Sequence, residues 1–414
     1  MDFLDQQSIL HDNQHGFRSK RSCESQLVST INEIARNLGE RGQVDIILLD
    51  FSKAFDKVPH RRLAHKLGYY GIRGTKCSTL QWIRDFLTNR TQQVLLEGHK
   101  SSTAPLLSGV PQGTVLGPLL FLLYINDLPE RTTSDARSFA DDCLLYTPVK
   151  SRSDTETLQK DLDSLVKWEE EWQMAFHPEK CVVIQVTNKR MPTNGNYNIH
   201  GHLLDVVDSS KYLGVNISKD LRWDNYINSI TSKANRTLGF IRRNMRGCRK
   251  QARVAAYQGL VRPTLEYACA AWDPWSSKHI HQLEKVQRRA ARFVTRNYHD
   301  RHPGSVTQML KDLHWEPLQI RRLKIKLILL YKIQHALVAI PADAYLICSD
   351  ARTRGSHTFR LPHTGKEAYR HSFFPRTIAD WNSLPSEVAC TPSLEAFKCQ
   401  LDDYTRAQLT TTAY

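Results

Sequence analysis

Asp141 and Asp142 stand side by side inside an apolar run, with Ser138-Phe139-Ala140 before them and Cys143-Leu144-Leu145-Tyr146 after. Two ionised carboxylates in a hydrophobic strand resist burial and repel each other. A divalent cation removes both penalties, and oxygen-only ligands favour magnesium, with manganese as a substitute, over zinc. A third carboxylate, Asp50, closes a second apolar run, Val44-Asp45-Ile46-Ile47-Leu48-Leu49. Acidic residues that end or interrupt two buried strands are what two-metal phosphoryl transfer requires, because the attacking and the leaving oxygen must both be neutralised. Taken singly, each aspartate reads equally well as a strand-end or turn residue.

The elements that must position these aspartates surround them. Ser25–Leu38, with Leu27, Ile31 and Ile34 on one face, reads as a helix, and Val44–Phe51 as a buried strand. Pro59 opens a basic helix carrying Arg61, Arg62, His65 and Lys66, and Gly68, Gly71 and Gly74 mark a connection. Leu80–Leu87 reads as a helix, and Gln92–Gly98 with Thr103–Leu107 as a hairpin. Gly113 and Pro118 bracket the start of an apolar helix that ends near Asp127, where Pro129 stops it. Arg137–Tyr146 reads as two strands turning near Ala140–Asp141. Ser153 and Glu156 are spaced for a capping box on the helix that follows, whose Trp168 and Trp172 suit the core. Cys181–Thr187 and Lys211–Ile217 read as further strands. Strand, helix, two strands, helix, strand is the order of a split βαβ sheet, which can bring Asp50 near Asp141 and Asp142.

After about residue 218 the pattern becomes helical and basic. One helix has Ile227, Ile230, Ala234, Leu238 and Ile241 on a face, a second spans His279–Thr295, and a third, Leu318–Leu337, is apolar with interspersed basic residues. An Arg- and Ser-containing loop, Ser349–His357, precedes the aromatic segments Phe373-Phe374-Pro375 and Trp381-Asn382.

Composition narrows the class of protein. The 414 residues suffice for two or three domains. Lys and Arg number 57 against 42 Asp and Glu, a formal charge of +15 that favours a polyanionic partner, nucleic acid before a membrane surface. Nine cysteines, an odd number without C-x-x-C pairs, argue for reduced thiols rather than a disulfide framework. The apolar run Val115–Ile125 contains Gly117 and Pro118 and is too short to span a bilayer. Met1–Gln7 has no signal-peptide character.

Three segments carry a family resemblance. Asp50-Phe51-Ser52-Lys53-Ala54-Phe55-Asp56-Lys57-Val58, Ser108-Gly109-Val110-Pro111-Gln112-Gly113-Thr114-Val115-Leu116-Gly117-Pro118 and Phe139-Ala140-Asp141-Asp142 closely resemble reverse-transcriptase motifs A, B and C, in the style of non-LTR (LINE-type, jockey-like) retrotransposons. Gln14-His15-Gly16-Phe17-Arg18 resembles the finger motif, Phe176-His177-Pro178-Glu179-Lys180-Cys181 motif D, and Tyr212-Leu213-Gly214-Val215 motif E, the primer grip. The order of the six matches the family.

The resemblance implies an α+β, right-hand polymerase. Residues 1–217 would hold incomplete fingers and a ferredoxin-like palm, residues 218–300 a basic helical thumb, and residues 301–414 a C-terminal helical region. Asp50, Asp141 and Asp142, with the backbone carbonyl of Phe51, would hold two Mg2+ ions. Phe55 would exclude the 2′-hydroxyl of ribonucleotides, Gln112 and Gly113 would meet nucleotide or template, and Arg18 would face the triphosphate. Lys180 would protonate pyrophosphate, and Tyr212, Leu213 and Gly214 would grip the primer. The implied partners are an RNA template, a DNA primer and deoxynucleoside triphosphates, with no membrane, and the implied compartment is nucleus or cytoplasm. Because the finger motif begins almost at Met1, the chain is expected to be N-terminally truncated. Three readings remain open on the sequence: an RNA-directed DNA polymerase, an inactive or domesticated relative that only binds nucleic acid, and a non-catalytic interaction protein.

Overall fold

The apolar run that ends at Asp50 becomes the central strand of a five-stranded sheet. The computed structural model describes residues 2–72, 79–300, 302–349 and 357–411; Gly74 and most of the Ser349–His357 loop lie outside them. In chain order the sheet contains β1 (Gln43–Leu49), β2 (Asp135–Phe139), β3 (Asp142–Pro148), β4 (Val182–Thr187) and β5 (Asp205–Val206). Their spatial order is β5-β4-β1-β3-β2, and β1 is antiparallel to both its neighbours. The first four strands therefore stand in the order 4-1-3-2 of a split βαβ, ferredoxin-like sheet, as the element order predicts. All seven residues of β1 are buried, which explains why it reads as a continuous apolar run rather than an alternating one.

The chain divides into two compact units, Met1–Gln26 with Arg41–Leu213, and Leu27–Glu40 with Gly214–Tyr414. A helix α1 (Cys23–Arg41) contributes residues to each.

In the first unit, helices α2 (His60–Tyr69), α3 (Leu116–Ile125) and α4 (Arg152–Trp172) flank the sheet residues in sequence. Leu120 to Ile125 of α3 and Leu158, Leu162, Leu165 and Trp168 of α4 share one core with Ile47, Leu49 and Leu145. Burying each such side chain contributes roughly 1.5–3 kcal/mol before entropy is subtracted. Lys66 departs from the solvated face expected of its helix. It is buried, donates to the Tyr124 carbonyl and the Asp127 carboxylate, and stands 3.8 Å from the Trp172 ring centre. Burial pushes its pKa down to about 8, with Asp127 working against that shift. Asp127 thus closes α3 structurally and also accepts from Trp168 Nε1 at 3.0 Å.

Two local expectations are corrected. Helix α4 starts earlier than Ser153, and its cap is Ser151 with Asp154, whose carboxylate accepts from the Ser151 and Lys150 amides at 2.9 and 2.8 Å. The Asp154 carboxylate reaches back to the amides of the cap residue and of the residue before it, which fixes the start at the earlier pair. Lys211–Ile217 is two strands, Ser209–Tyr212 and Val215–Ser218, broken by a left-handed turn at Leu213 (φ 45°) and Gly214 (φ 84°).

The second unit is helical. Helix α5 (Asp224–Asn244) buries Ile227, Ile230, Ala234, Leu238 and Ile241, and α6 (Ser277–Thr295) buries Leu283, Val286, Ala290 and Val294. Lys285, Arg288 and Arg289 of α6 are not buried. Helix α7 (Leu318–Gln334) is different, because its basic residues face inward. Arg322 Nε and Lys326 Nζ reach the Asp273 carboxylate at 2.8 and 2.9 Å, and Arg376 Nη2 of α8 (Phe373–Asn382) reaches it at 3.1 Å. Lys326 also pairs with Asp380 at 3.2 Å, and Lys324 with Asp402 at 2.6 Å. The aromatic segment around α8 is structural too. Phe374 stacks on Tyr345 at 4.0 Å, and the Asn382 amide bonds both backbone groups of Phe359, at 2.9 and 2.7 Å. Among the described residues no helix is long and apolar enough to cross a membrane.

Burial alone would raise the Asp273 pKa, but Lys326, Arg376 and Arg322 together outweigh it and hold the carboxyl below its ordinary value. A depressed folded-state pKa contributes stability that is present above the unfolded value and is lost as pH falls through the folded one. Asp273→Ala leaves the buried Arg322 without the carboxylate it pairs with and takes one partner from Lys326 and Arg376, and should cost about 3–5 kcal/mol, read from urea unfolding at pH 7. The difference from the parent should shrink as pH is lowered below the usual carboxylate range; a pH-independent difference would show that charge pairing is not its source.

Candidate active site

Strand β1 pairs with β3 so that Leu48 faces Leu144 and Leu49 faces Cys143. Continued one residue, this register sets Asp50 across from Asp142. Strands β2 and β3 pair as far as Phe139 with Asp142, which leaves Ala140 and Asp141 as the turn. Ala140 adopts the left-handed φ of 55° that such a tight reversal needs. The sheet thus brings the end of its central strand and the tip of an adjacent hairpin to one place.

The carboxylates there interact. Burial raises the Asp141 pKa first, and the Asp50 charge adds to it; for Asp142 burial is again first, followed by Asp141 and Asp50. The Asp50 side chain is 41 % exposed, yet its Oδ2 is enclosed and takes no hydrogen bond. Lys180 Nζ lies 3.2 Å from that oxygen, close enough for charge attraction though not aligned as a hydrogen-bond donor. Among the described residues no three His, Cys, Asp or Glu side chains are gathered into a ready metal cage. The donor chemistry still fits a hard divalent cation, because the acidic ligands offered are all oxygen and one enclosed oxygen lacks a hydrogen bond. The second aspartate of β1, Asp45, offers nothing here. It is fully buried and takes hydrogen bonds from Gln43 at 2.9 Å and Tyr197 at 2.7 Å.

The backbone of Asp50 is fixed by the motif around Lys180. His177 N donates to the Asp50 carbonyl at 2.7 Å, Asp50 N reaches Cys181 Sγ at 3.5 Å, and Ser52 N donates to the Ala175 carbonyl at 2.7 Å. Phe51 bridges Phe176 and stacks on it at 4.4 Å. The bridging bonds belong to the residues either side of Phe51, so its own carbonyl is turned away from that segment.

The loop 108–113 is stitched to the turn after Asp50. Val110 N donates to the Phe55 carbonyl at 2.8 Å, Gly109 N to the Val58 carbonyl at 2.8 Å, and Ser108 Oγ to the Asp56 carbonyl at 2.9 Å. Gln112 Nε2 donates to Asp56 Oδ1 at 3.2 Å, which gives Asp56 a definite task. Phe55 is half-buried and stacks on Phe121 at 4.4 Å, so its ring is braced from behind. Gly113 has φ +78° and open space where a Cβ would stand, so backbone conformation rather than protein crowding demands glycine there. Gly117 is the crowded one, since a Cβ would lie 2.1 Å from the Pro111 carbonyl oxygen.

Residues 1–217 match the model of the reverse transcriptase (RNA-dependent DNA polymerase) family, a little over half of the chain. The chain belongs to that family. It is 28% identical over 298 residues to the RNA-directed DNA polymerase from mobile element jockey of Drosophila melanogaster, covering 68% of this chain and 32% of that protein. It is 26% identical over 313 residues to the probable RNA-directed DNA polymerase from transposon BS of the same fly, covering 71% and 33%. These relatives place it with the non-LTR reverse transcriptases, as its motifs predict, and the chain spans about a third of their length. Among solved structures, telomerase from Candida albicans in complex with a telomeric RNA fragment aligns at a TM-score of 0.42 and 11% identity, covering 75% of this chain and 55% of that one.

Other reverse transcriptase motif residues have structural tasks. Arg18 is largely buried, donates to the His11 carbonyl at 2.8 Å, and lies within 4.0 Å of Asp5 and 3.9 Å of Asp12. Tyr212 is buried, with its hydroxyl accepting from Gln26 Nε2 at 2.9 Å, while Leu213 and Gly214 make the left-handed turn that follows. His15 is buried, and burial first, then Arg21, Arg137 and Arg18, push its pKa down to about 3, so the ring is neutral.

Gln14 is the residue whose task the motif alone does not disclose. It is 4% exposed, bridges Ser138 of β2, and its Oε1 accepts from Gly16 N at 2.7 Å and Ala140 N at 2.9 Å. One amide oxygen therefore clamps the turn that carries Asp141. Gly16 must be glycine, because a Cβ would lie 2.5 Å from Ala140 N. The available signal was composition, an amide side chain close to a glycine in a polar segment. Gln14→Leu removes the acceptor and leaves two buried donors unpaired, at about 1–3 kcal/mol each. Hydrogen exchange at the Ala140 amide should then accelerate by roughly tenfold or more, and unchanged exchange would remove the clamp.

Proposed function

We propose that the chain is an RNA-directed DNA polymerase segment of a non-LTR retroelement protein, joining deoxynucleotides to a primer 3′-hydroxyl on an RNA template. The observation that carries this reading is the convergence of Asp50, Asp141 and Asp142 at one end of the sheet with their negative charge largely unneutralised. Divalent metals serve polymerases of this family generally, and the finer reading is two Mg2+ ions, replaceable by Mn2+, held by Asp50, Asp141, Asp142 and the Phe51 carbonyl. Bound there, the ions supply a lowered pKa for the primer hydroxyl and charge neutralisation for the triphosphate.

The chain's own residues do the rest. The primer oxygen attacks the α-phosphorus, the bond from that phosphorus to the bridging oxygen breaks, and pyrophosphate leaves. The hydroxyl proton passes to water. Lys180, beside Asp50, gives its proton to the leaving pyrophosphate. Phe55, braced by Phe121, stands under the incoming sugar and clashes with a 2′-hydroxyl. Gln112 and Gly113, fixed through Asp56, meet the nucleotide or template, and Arg18, held by the His11 carbonyl, faces the triphosphate with its charge partly offset by Asp5 and Asp12. The Leu213–Gly214 turn, backed by the buried Tyr212, holds the primer end. The compartment that the family's behaviour suggests is nucleus or cytoplasm.

Primer extension on an RNA template should require Mg2+ or Mn2+ and should fall by about 10²–10³-fold or more in Asp141→Ala, with the parent's unfolding midpoint retained. Synthesis that survives this substitution removes the mechanism. Phe55→Val should raise ribonucleotide use relative to deoxynucleotides by roughly 10–200-fold, measured as a ratio of kcat/KM values. An unchanged ratio in an active enzyme would assign Phe55 to packing alone.

A further inference from the structure

Between Asp224 and Glu266 the chain has no carboxylate, yet it carries Arg242, Arg243, Arg246, Arg249, Lys250 and Arg253 in close succession. Where α5 ends, the second unit has a recess of about 450 Å³ lined by Arg242, Arg246, Arg253, Phe293, Arg296 and Tyr298. Four guanidiniums and two rings line it, and no acid does.

The wall of the recess is rigid. Arg253 is 5% exposed, and its donors are committed: Nε and Nη2 to the Val294 carbonyl at 3.2 and 2.7 Å, Nη1 to the Cys248 carbonyl at 2.8 Å. It also lies 6.0 Å from the Phe293 ring centre. Arg296 caps α6 in the left-handed region, at φ 61°, and bonds the Arg246 and Cys248 carbonyls. Burial first, and then the Arg296 charge, lower the Arg253 pKa. The mouth is open. Arg242 and Arg246 face solvent, and no carboxylate lines the recess beside them. The Arg242 guanidinium lies 6.0 Å from the Tyr298 ring centre, and that ring is 42% exposed.

Guanidinium forks match phosphate oxygens in geometry as well as charge. An exposed tyrosine face beside them accepts a nucleobase without regard to sequence. The volume accommodates a nucleotide rather than a phosphate alone. We propose that this recess binds single-stranded nucleic acid, with Arg242 and Arg246 holding a phosphodiester and Tyr298 stacking on the adjoining base. The site stands on residues of the second unit and does not require synthesis, so it can succeed or fail independently of the polymerase reading.

The test uses the full chain with labelled RNA and DNA strands of about twelve nucleotides, by fluorescence anisotropy in EDTA without triphosphates. Arg242→Ala with Arg246→Ala should raise Kd about tenfold and make the salt dependence shallower by roughly 0.7 in log–log slope for each phosphate no longer held. Arg242→Lys should recover only part of the loss, because charge returns without the fork. Tyr298→Ala should weaken single strands by roughly 5–150-fold and leave a blunt duplex unaffected. A stronger effect on the RNA strand than on the DNA strand names the template as occupant, and the reverse names DNA. Arginine and Tyr298 variants that bind both strands within about twofold of the parent overturn the proposal. So does complete displacement by millimolar inorganic phosphate with Tyr298→Ala silent, which leaves a plain anion site, or a loss on anionic vesicles but not on strands.

Discussion

Like charge held at the end of an apolar sheet is the constraint around which the first unit is organised. Asp50, Asp141 and Asp142 repel one another, and burial raises the pKa of the last two further. Nothing in that electrostatics keeps them together. Backbone does it instead: the β1–β3 register, the left-handed turn at Ala140, and two flanking segments that bond to Asp50 and Ala140 directly. Each clamp uses neutral groups, amides, carbonyls and a thiol, which hold geometry without neutralising the charge the site needs. The unsatisfied carboxylates are a local cost carried by a core in which Ile47, Leu49, Leu145 and the apolar faces of two helices pack together.

The second unit solves the opposite problem, an excess of positive charge, in two ways. On α7 acids meet the buried cations: Asp273 serves Arg322 and Lys326, along with Arg376 of α8, and Asp380 also pairs with Lys326. Where cations line the recess at the end of α5, carbonyls hold Arg253 and Arg296 in place and no acid lines the cavity with them. The difference separates cations that build the fold from cations kept for something outside it. A net charge of +15 does not distinguish the two populations; their partners do.

Much of the sheet was legible in the sequence because its signals are local and strong. β1 is apolar but for Gln43 and Asp45, the strand after the hairpin turn carries an apolar run, and the helix after Pro118 is apolar throughout. The carboxylate convergence followed from the order of elements. What escaped was set by tertiary partners. Lys66 reads as one more exposed cation until Asp127 and three aromatic rings enclose it. Arg322 and Lys326 read as a solvated stripe until Asp273, remote in sequence, offsets the cost of burying them. Ser151–Asp154 and Ser153–Glu156 both have the spacing of a capping box, and only the backbone path chooses between them. Gln14 was visible as part of a motif, but its bond to Ala140 spans most of the first unit's length and leaves no local trace.

Lys180 ties these strands together. Its ammonium stands 3.2 Å from Asp50 Oδ2 without proper donor alignment, on a side chain that is 62% exposed. At that exposure the pair adds little to stability. The ammonium is a weakly held counter-charge to Asp50. The segment that carries Lys180 also fixes the Asp50 backbone through His177 and Cys181. The ammonium can therefore move without carrying the aspartate with it. A lysine on an unrelated loop could neutralise Asp50 as well, but it would not share the segment that holds the aspartate in place.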